Sequence, residues 1–227
     1  MTELPRQFTE DAFLGGKLRL RQLKSGHRAG HDAMLLAAAT SARSGDRVVD
    51  FGAGVGAAGL AVAKRVAGIE LVLVEIDELL ADLARGNALA NAIAADVVVL
   101  DVMSAAAEFA ATGLTPDSVD VVLMNPPFND STRHRASPDK ARASAHVATG
   151  ETLDGWIHAA RRILKSGGVL TMIWRADGLA ELLSALDRGF GSLAILPIHG
   201  DAASLSSVVS ACIASLSTAK SSARSTG

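Results

Sequence analysis

The chain has 227 residues, 49% of them apolar, and its 22 Lys and Arg nearly balance 24 Asp and Glu for a formal charge of −2. That length suits one large α/β domain with a sizeable core, and the charge balance excludes a global basic field, so a nucleic-acid partner would have to be held by a local patch. A single cysteine, Cys212, excludes an internal disulfide framework and a cysteine-based zinc site; with no signal-peptide pattern and no run of about 20 apolar residues, a cytoplasmic protein without a membrane span is expected.

Taken in chain order, residues 8–23 read as a hairpin. Gly15-Gly16 supplies the turn, and the second arm alternates as Lys17, Leu18, Arg19, Leu20, Arg21, which puts three basic side chains on one face and leucines on the other. Residues 31–40 read as a helix opened by His31-Asp32. Strands are then expected at Arg47–Phe51, Glu70–Glu75, Asp96–Leu100, Val119–Met124, Val169–Trp174 and Leu193–Ile198. Helices are expected between them at Ala57–Val66, Glu78–Ala92, Ala105–Ala111, Leu153–Leu164 and Leu179–Leu186, with Gly167-Gly168 capping the fourth of these. Val208–Leu216 adds a last strand, antiparallel to its neighbour, and the small polar residues 217–227 read as a disordered tail. Apolar strands alternating with helices give an α/β, Rossmann-like fold: a mainly parallel seven-stranded sheet covered on both faces, plus the N-terminal hairpin. The expected division is a basic hairpin and lead-in at 1–30, one domain at 31–216, and the tail.

The informative residues fall at strand ends. Val48-Val49-Asp50-Phe51-Gly52-Ala53-Gly54-Val55-Gly56 is a strand, a glycine-rich turn and the start of a helix, a place where backbone can approach a ligand. The next strand ends in Glu75-Ile76, whose carboxylate suits ribose hydroxyls. An NAD enzyme would share both features. Two acids, Asp50 just before the glycines and Asp101-Val102 after the third strand, favour S-adenosylmethionine (SAM) instead, because Asp101 is placed to accept from an adenine amino group.

The fourth strand runs into Asn125-Pro126-Pro127-Phe128. Two prolines remove two backbone donors and fix φ, so the chain leaves the sheet as a preset loop. An Asn oxygen and a proline carbonyl together accept both hydrogens of a planar NH₂, and a Phe face stacks on its ring.

With these motifs the chain resembles the class I SAM-dependent N-methyltransferases that carry an NPPY or NPPF loop. Within that group it is most similar to the tRNA adenine-N6 methyltransferases that modify the base beside the anticodon of a valine tRNA. The resemblance runs from about Phe8 to Pro197. It implies that the segment Ser25 to Leu36 covers the cofactor, with His31 or Asp32 near its amino-acid end, and that the stretch holding Ser137-Pro138 and Arg142 to His146 follows the catalytic loop. Phe128 stands where Tyr is commoner in the adenine enzymes and is itself usual in rRNA guanine-N2 enzymes, and the Ser/Ala-rich chain after Gly200 departs from the family pattern.

The implied chemistry needs no metal and no covalent nucleophile. Asn125, Pro126, Pro127 and Phe128 form the catalytic loop. Asp32, Asp50, Phe51, Gly52, Ala53, Gly54, Gly56, Glu75, Ile76, Asp101, Val102 and Asn125 are the cofactor set. Two basic runs flank the expected cleft, Lys17, Arg19, Arg21, Lys24 and Arg28 before it, and Arg133, Arg135, Lys140 and Arg142 after it; both read as RNA contacts. Adenine N6 in tRNA is the leading acceptor, with rRNA guanine N2 or a protein glutamine amide as alternatives. A Rossmann oxidoreductase or a non-catalytic nucleotide-binding module is the reading from a different class. Trp156 and Cys212 read as core residues.

Overall fold

The computed structural model describes residues 8–24, 28–127, 152–187, 189–199 and 208–216. The hairpin comprises β1 (Phe8–Phe13) and β2 (Leu18–Leu23), and its turn uses Gly15 and Gly16 at φ 64° and 84°. Helix α1 (His31–Ala39) leads into β3 (Arg47–Phe51), α2 (Ala57–Arg65), β4 (Glu70–Glu75), α3 (Glu78–Ala90), β5 (Asp96–Val99), α4 (Ala106–Ala111) and β6 (Val119–Met124). A helix over residues 152–163, α5, precedes β7 (Leu164–Arg175); α6 (Leu179–Leu186), β8 (Phe190–His199) and β9 (Val208–Leu216) complete the order.

Seven strands form one sheet in the order β5-β4-β3-β6-β7-β9-β8. The five strands from β5 to β7 are parallel, and β9 enters antiparallel between β7 and β8. Period-2 alternation divides the core. Val49, Phe51, Val72, Val74, Val122 and Met124 face α4, α5 and α6, where they meet Phe109, Trp156, Ile163 and Leu182. Val48, Leu71, Leu73, Val121 and Leu123 face α1, α2, α3 and the buried leucines Leu18 and Leu20 of the hairpin. Strands buried on both faces are what the continuous apolar runs demanded.

Gly167-Gly168 does not cap α5. It lies inside β7, which begins at Leu164 and bulges: Leu164 pairs with Val119 and Val169 with Val121, five steps against two. Gly167 takes φ 79°, and a Cβ on Gly168 would sit 2.9 Å from the Lys165 carbonyl oxygen. Pairing with β6 thus draws in residues that local sequence assigns to a helix end. The expected tail at 217–227 and the second basic run lie outside the described residues.

Candidate active site

Asp50, Glu75 and Asn125 stand at or just beyond the carboxyl ends of β3, β4 and β6, and Asp101 follows β5 by two residues. These four strands are contiguous in the sheet. Register ties the ends together, since Phe51 pairs with both Val74 and Met124, and Glu75 with Val99. The carboxyl edge of an open parallel sheet is where such folds bind ligands.

The loop between β3 and α2 is held by its neighbour strand. The Ala53 amide donates to Val74 O at 2.9 Å, the Gly54 amide to Glu75 Oε2 at 2.7 Å, and the Gly56 amide to Ala53 O at 2.8 Å. Glu75 is 6% exposed and its Oε1 accepts from the Asp77 amide at 2.9 Å, so the carboxylate both shapes the glycine loop and starts α3. Asp77 caps that helix through Leu79 and Leu80. Gly52 has φ +66°, and a Cβ there would meet the Trp156 ring at 2.6 Å. Trp156 therefore belongs to the core, as read from the sequence, and also forms the floor under the loop.

Asp50 does not line the loop's open side. Sitting between Val49 and Phe51, it projects towards α2, fully buried, and its Oδ2 accepts from the Gly59 amide at 2.8 Å. Burial pushes its carboxyl up to about 7; the Glu75 charge adds to this and the Gly59 amide opposes it. Asp101 is exposed. Its Oδ1 accepts from the Met103 amide in an Asx turn, while α4 begins only at Ala106, so the acid is not that helix's N-cap. Ile76 is 63% exposed directly after Glu75, whereas Val102 is buried.

Asn125 is half-buried, Pro126 buried and Pro127 exposed. Among the described residues, Asn125 Oδ1 is buried and accepts no hydrogen bond. A buried, unpaired carbonyl oxygen costs about 1–3 kcal/mol, so it marks a place where a ligand donor fits. Phe128 lies outside the described residues.

In the hairpin Lys17, Arg19 and Arg21 are exposed, as is Lys24 just after it, while Leu18 and Leu20 are buried. Arg21 lies over the Phe8 ring at 4.2 Å, and Glu10 pairs opposite it, which dilutes the basic face. Arg28, also in the expected RNA set, is engaged within the chain. Its Nη2 pairs with Asp11 Oδ2 at 2.8 Å and its Nη1 donates to Leu23 O at 3.1 Å, so the guanidinium ties the hairpin to itself. Hydrogen bonds from Thr9, then Gln22, together with the Arg28 charge hold the Asp11 carboxyl below its usual range. Asp32 is exposed in the first turn of α1. Arg133, Arg135, Lys140 and Arg142 lie outside the described residues.

Sequence reading missed Asn87 on α3 and Asn91, one turn on, at its C-cap. Their amides grip the outer edge of β2. Asn87 Oδ1 accepts from the Arg21 amide at 2.7 Å, and Asn87 Nδ2 donates to Arg21 O at 3.1 Å and to Val55 O at 2.9 Å. Asn91 does the same to Arg19, at 3.0 and 2.7 Å. The available signal was two amides at i, i+4, Asn87 in the last turn of α3, where Asn has poor helix propensity, and Asn91 at its C-cap.

A parallel sheet with a glycine loop after a central strand, an acid ending the strand on one side and an amide-proline exit from the strand on the other is the frame of an enzyme of the Rossmann-like, SAM-dependent methyltransferase class. The family model described as the methyltransferase small domain matches residues 25–200, and the chain belongs to that family. A Porphyromonas gingivalis protein named tRNA1(Val) (adenine(37)-N6)-methyltransferase is 28% identical over 178 residues, 76% of this chain and 68% of that one. A solved Agrobacterium tumefaciens structure, titled a predicted O-methyltransferase, is 31% identical with a TM-score of 0.65, covering 82% of this chain and 80% of that one. The Thermus thermophilus 16S rRNA guanine-N2 methyltransferase, solved with AdoMet and guanosine, shares the fold at 22% identity and a TM-score of 0.62, over 92% of this chain and 50% of that one. Among the described residues no group of three or more His, Cys, Asp or Glu could hold a metal ion, and no helix is long and apolar enough to cross a membrane.

Proposed function

We propose that this enzyme methylates the exocyclic amino nitrogen of an RNA base, adenine N6 in a tRNA, and that the rim from Phe51 to Asn125 holds SAM and base together. The carrying observation is the buried Asn125 Oδ1 that accepts no hydrogen bond among the described residues, next to a proline carbonyl. The name of the Porphyromonas relative supports the tRNA substrate.

The residues present suit SAM. Gly52, Ala53 and Gly54 bring backbone to the rim beside Phe51, and Gly56 starts α2. Glu75 retains acceptor capacity for ribose hydroxyls, Ile76 offers an apolar face to an adenine ring, and Asp101-Val102 closes that side. Asp32 on α1 is assigned to the amino-acid end. When bound, SAM supplies an already activated methyl group.

The chain's own work is on the acceptor. A base amino nitrogen is a poor nucleophile because its lone pair is delocalised into the ring. Accepting both N–H hydrogens at Asn125 Oδ1 and the Pro126 carbonyl favours a tetrahedral nitrogen with a directed lone pair, an effect of alignment and preorganised dipoles. The base must leave its stack to reach the loop, where Phe128 is assigned to stack on it. The proton departs to solvent, so no general base is assigned. Lys17, Arg19 and Arg21, with the run Arg133 to Arg142, are assigned to phosphates.

The test is labelled methyl transfer to separate tRNA, rRNA and protein pools, with base mapping by mass spectrometry. Asn125→Ala should lower turnover at least about 100-fold, as loss of one oriented acceptor does, and leave binding of S-adenosylhomocysteine within about two-fold. Retention of most of the rate would refute the assignment. Label on guanine N2 would favour the reading suggested by Phe128 and by the Thermus structure's title, and label on protein glutamine would exclude RNA.

A further inference from the structure

Asn87 is 2% exposed, and its side-chain oxygen and both amide hydrogens are engaged, on two separate backbone segments. Its oxygen and one of its hydrogens close a two-bond clamp on Arg21, and its other hydrogen reaches the Val55 carbonyl, in the middle of the glycine loop between Gly54 and Gly56. One rigid amide thus bridges the strand that displays Arg19 and Arg21 and the loop assigned to the cofactor. Asn91 provides an internal contrast. It clamps Arg19 in the same way, but its remaining bond goes to Asn87 O on its own helix, not to the loop.

We infer that Asn87 is a positioning residue that couples RNA binding on the hairpin to cofactor binding in the glycine loop. This rests on the proposed function and adds to it a specific path. Ordering β2 against a phosphate backbone fixes the Arg21 peptide; the clamp fixes the Asn87 amide, and the amide fixes Val55 O. Linkage requires that the effect run equally in the other direction. The same residue could merely anchor the hairpin, but Asn91 does that without touching the loop, which makes the two roles separable.

The test measures binding of an unmodified valine-tRNA transcript by fluorescence anisotropy, with and without saturating S-adenosylhomocysteine, which cannot react. In the wild type the ligand should tighten RNA binding about five-fold or more, within the usual range for coupled sites. Asn91→Ala should weaken RNA binding while keeping that ratio. Asn87→Ala should bring the ratio close to one. An unchanged ratio in Asn87→Ala, or an equal loss in Asn91→Ala, overturns the inference. So does a wild type that binds both ligands independently, an outcome that leaves the proposed function standing; a wild type that binds neither ligand and transfers no methyl group refutes that function instead. Should Asn87→Ala fail to fold, hydrogen exchange on the wild type decides: adding the tRNA transcript alone should slow amides of residues 54–59, and unchanged exchange there overturns the coupling.

Discussion

Glu75 Oε2 accepts a 2.7 Å hydrogen bond from the Gly54 amide, so the acid that ends β4 and the loop that follows β3 form one unit. The other oxygen, Oε1, accepts from Asp77, which caps α3, and three consecutive features of the rim therefore depend on one carboxylate.

Glu75→Gln is nearly isosteric but replaces an acceptor oxygen with an NH₂ that must face either the Gly54 or the Asp77 amide. A charged hydrogen bond of this kind contributes about 1.5–3 kcal/mol. Titration calorimetry with S-adenosylhomocysteine should show affinity reduced about 10- to 100-fold. Affinity within two-fold of the wild type would mean that the loop keeps its shape without the charge.

Gly52 combines left-handed backbone with a ring beneath it. Gly52→Ala incurs about 1–2 kcal/mol for the conformation and about 1–3 kcal/mol for overpacking against Trp156, so a stability loss of a few kcal/mol is expected in urea titrations. Trp156→Leu removes the ring that a Cβ at Gly52 would strike at 2.6 Å. The pair should therefore be less damaging than the sum of the singles, while the φ contribution persists. Strict additivity would place the strain elsewhere.

How far the sequence reveals this rim depends on what kind of information each residue carries. β3, β4 and β6 have the expected ends because a strand buried on both faces is an unbroken apolar run, and a polar residue stops it. The acids and Asn125 follow from the same logic. Orientation was not legible: alternation sets Asp50 on the opposite face from Val49 and Phe51, but only the structure shows that α2 covers that face. By contrast, Gly167-Gly168 was misread because two glycines after a helix resemble a cap until β6 is present to pair with the chain that contains them. Charge patterning shows Arg28 within a basic run but does not register its ion pair with Asp11, seventeen residues earlier in the sequence. Asn87 and Asn91 were missed for the same reason, as their partners are backbone atoms of a strand far upstream.

Asp50 gives the fold a pH dependence of definite sign. Its carboxyl is raised from 3.8 to about 7 by burial first, with the Glu75 charge adding to it. The folded state therefore holds a proton that the unfolded chain has already lost, so this contribution is complete below about pH 4 and disappears as pH rises through about 7. Between pH 5 and pH 8 the wild type should lose about 2–3 kcal/mol of stability from this group, following the free energy of a shifted proton affinity. Asp50→Asn keeps an acceptor for the Gly59 amide but cannot ionise, so its urea midpoint should be flatter across that range. Parallel pH profiles for the two proteins would remove Asp50 from the account.

The hairpin charges make the last prediction. Arg19 and Arg21 project from β2 on its exposed face while their peptides are clamped by Asn91 and Asn87, so their side chains can be reversed without disturbing the anchoring. Arg21 also lies over Phe8 and faces Glu10 across the strand pair, which makes Arg19 the cleaner probe. If these side chains meet phosphates, Arg19→Glu with Arg21→Glu should weaken tRNA binding strongly at low salt. Each lost contact should also flatten the plot of log affinity against log salt by about 0.7–0.9. S-adenosylhomocysteine affinity measured without RNA should stay within two-fold, because the clamp on Val55 O does not involve either guanidinium. Unchanged salt dependence would assign the phosphate contacts to the second basic run and leave the hairpin as a structural element whose leucines pack on the core.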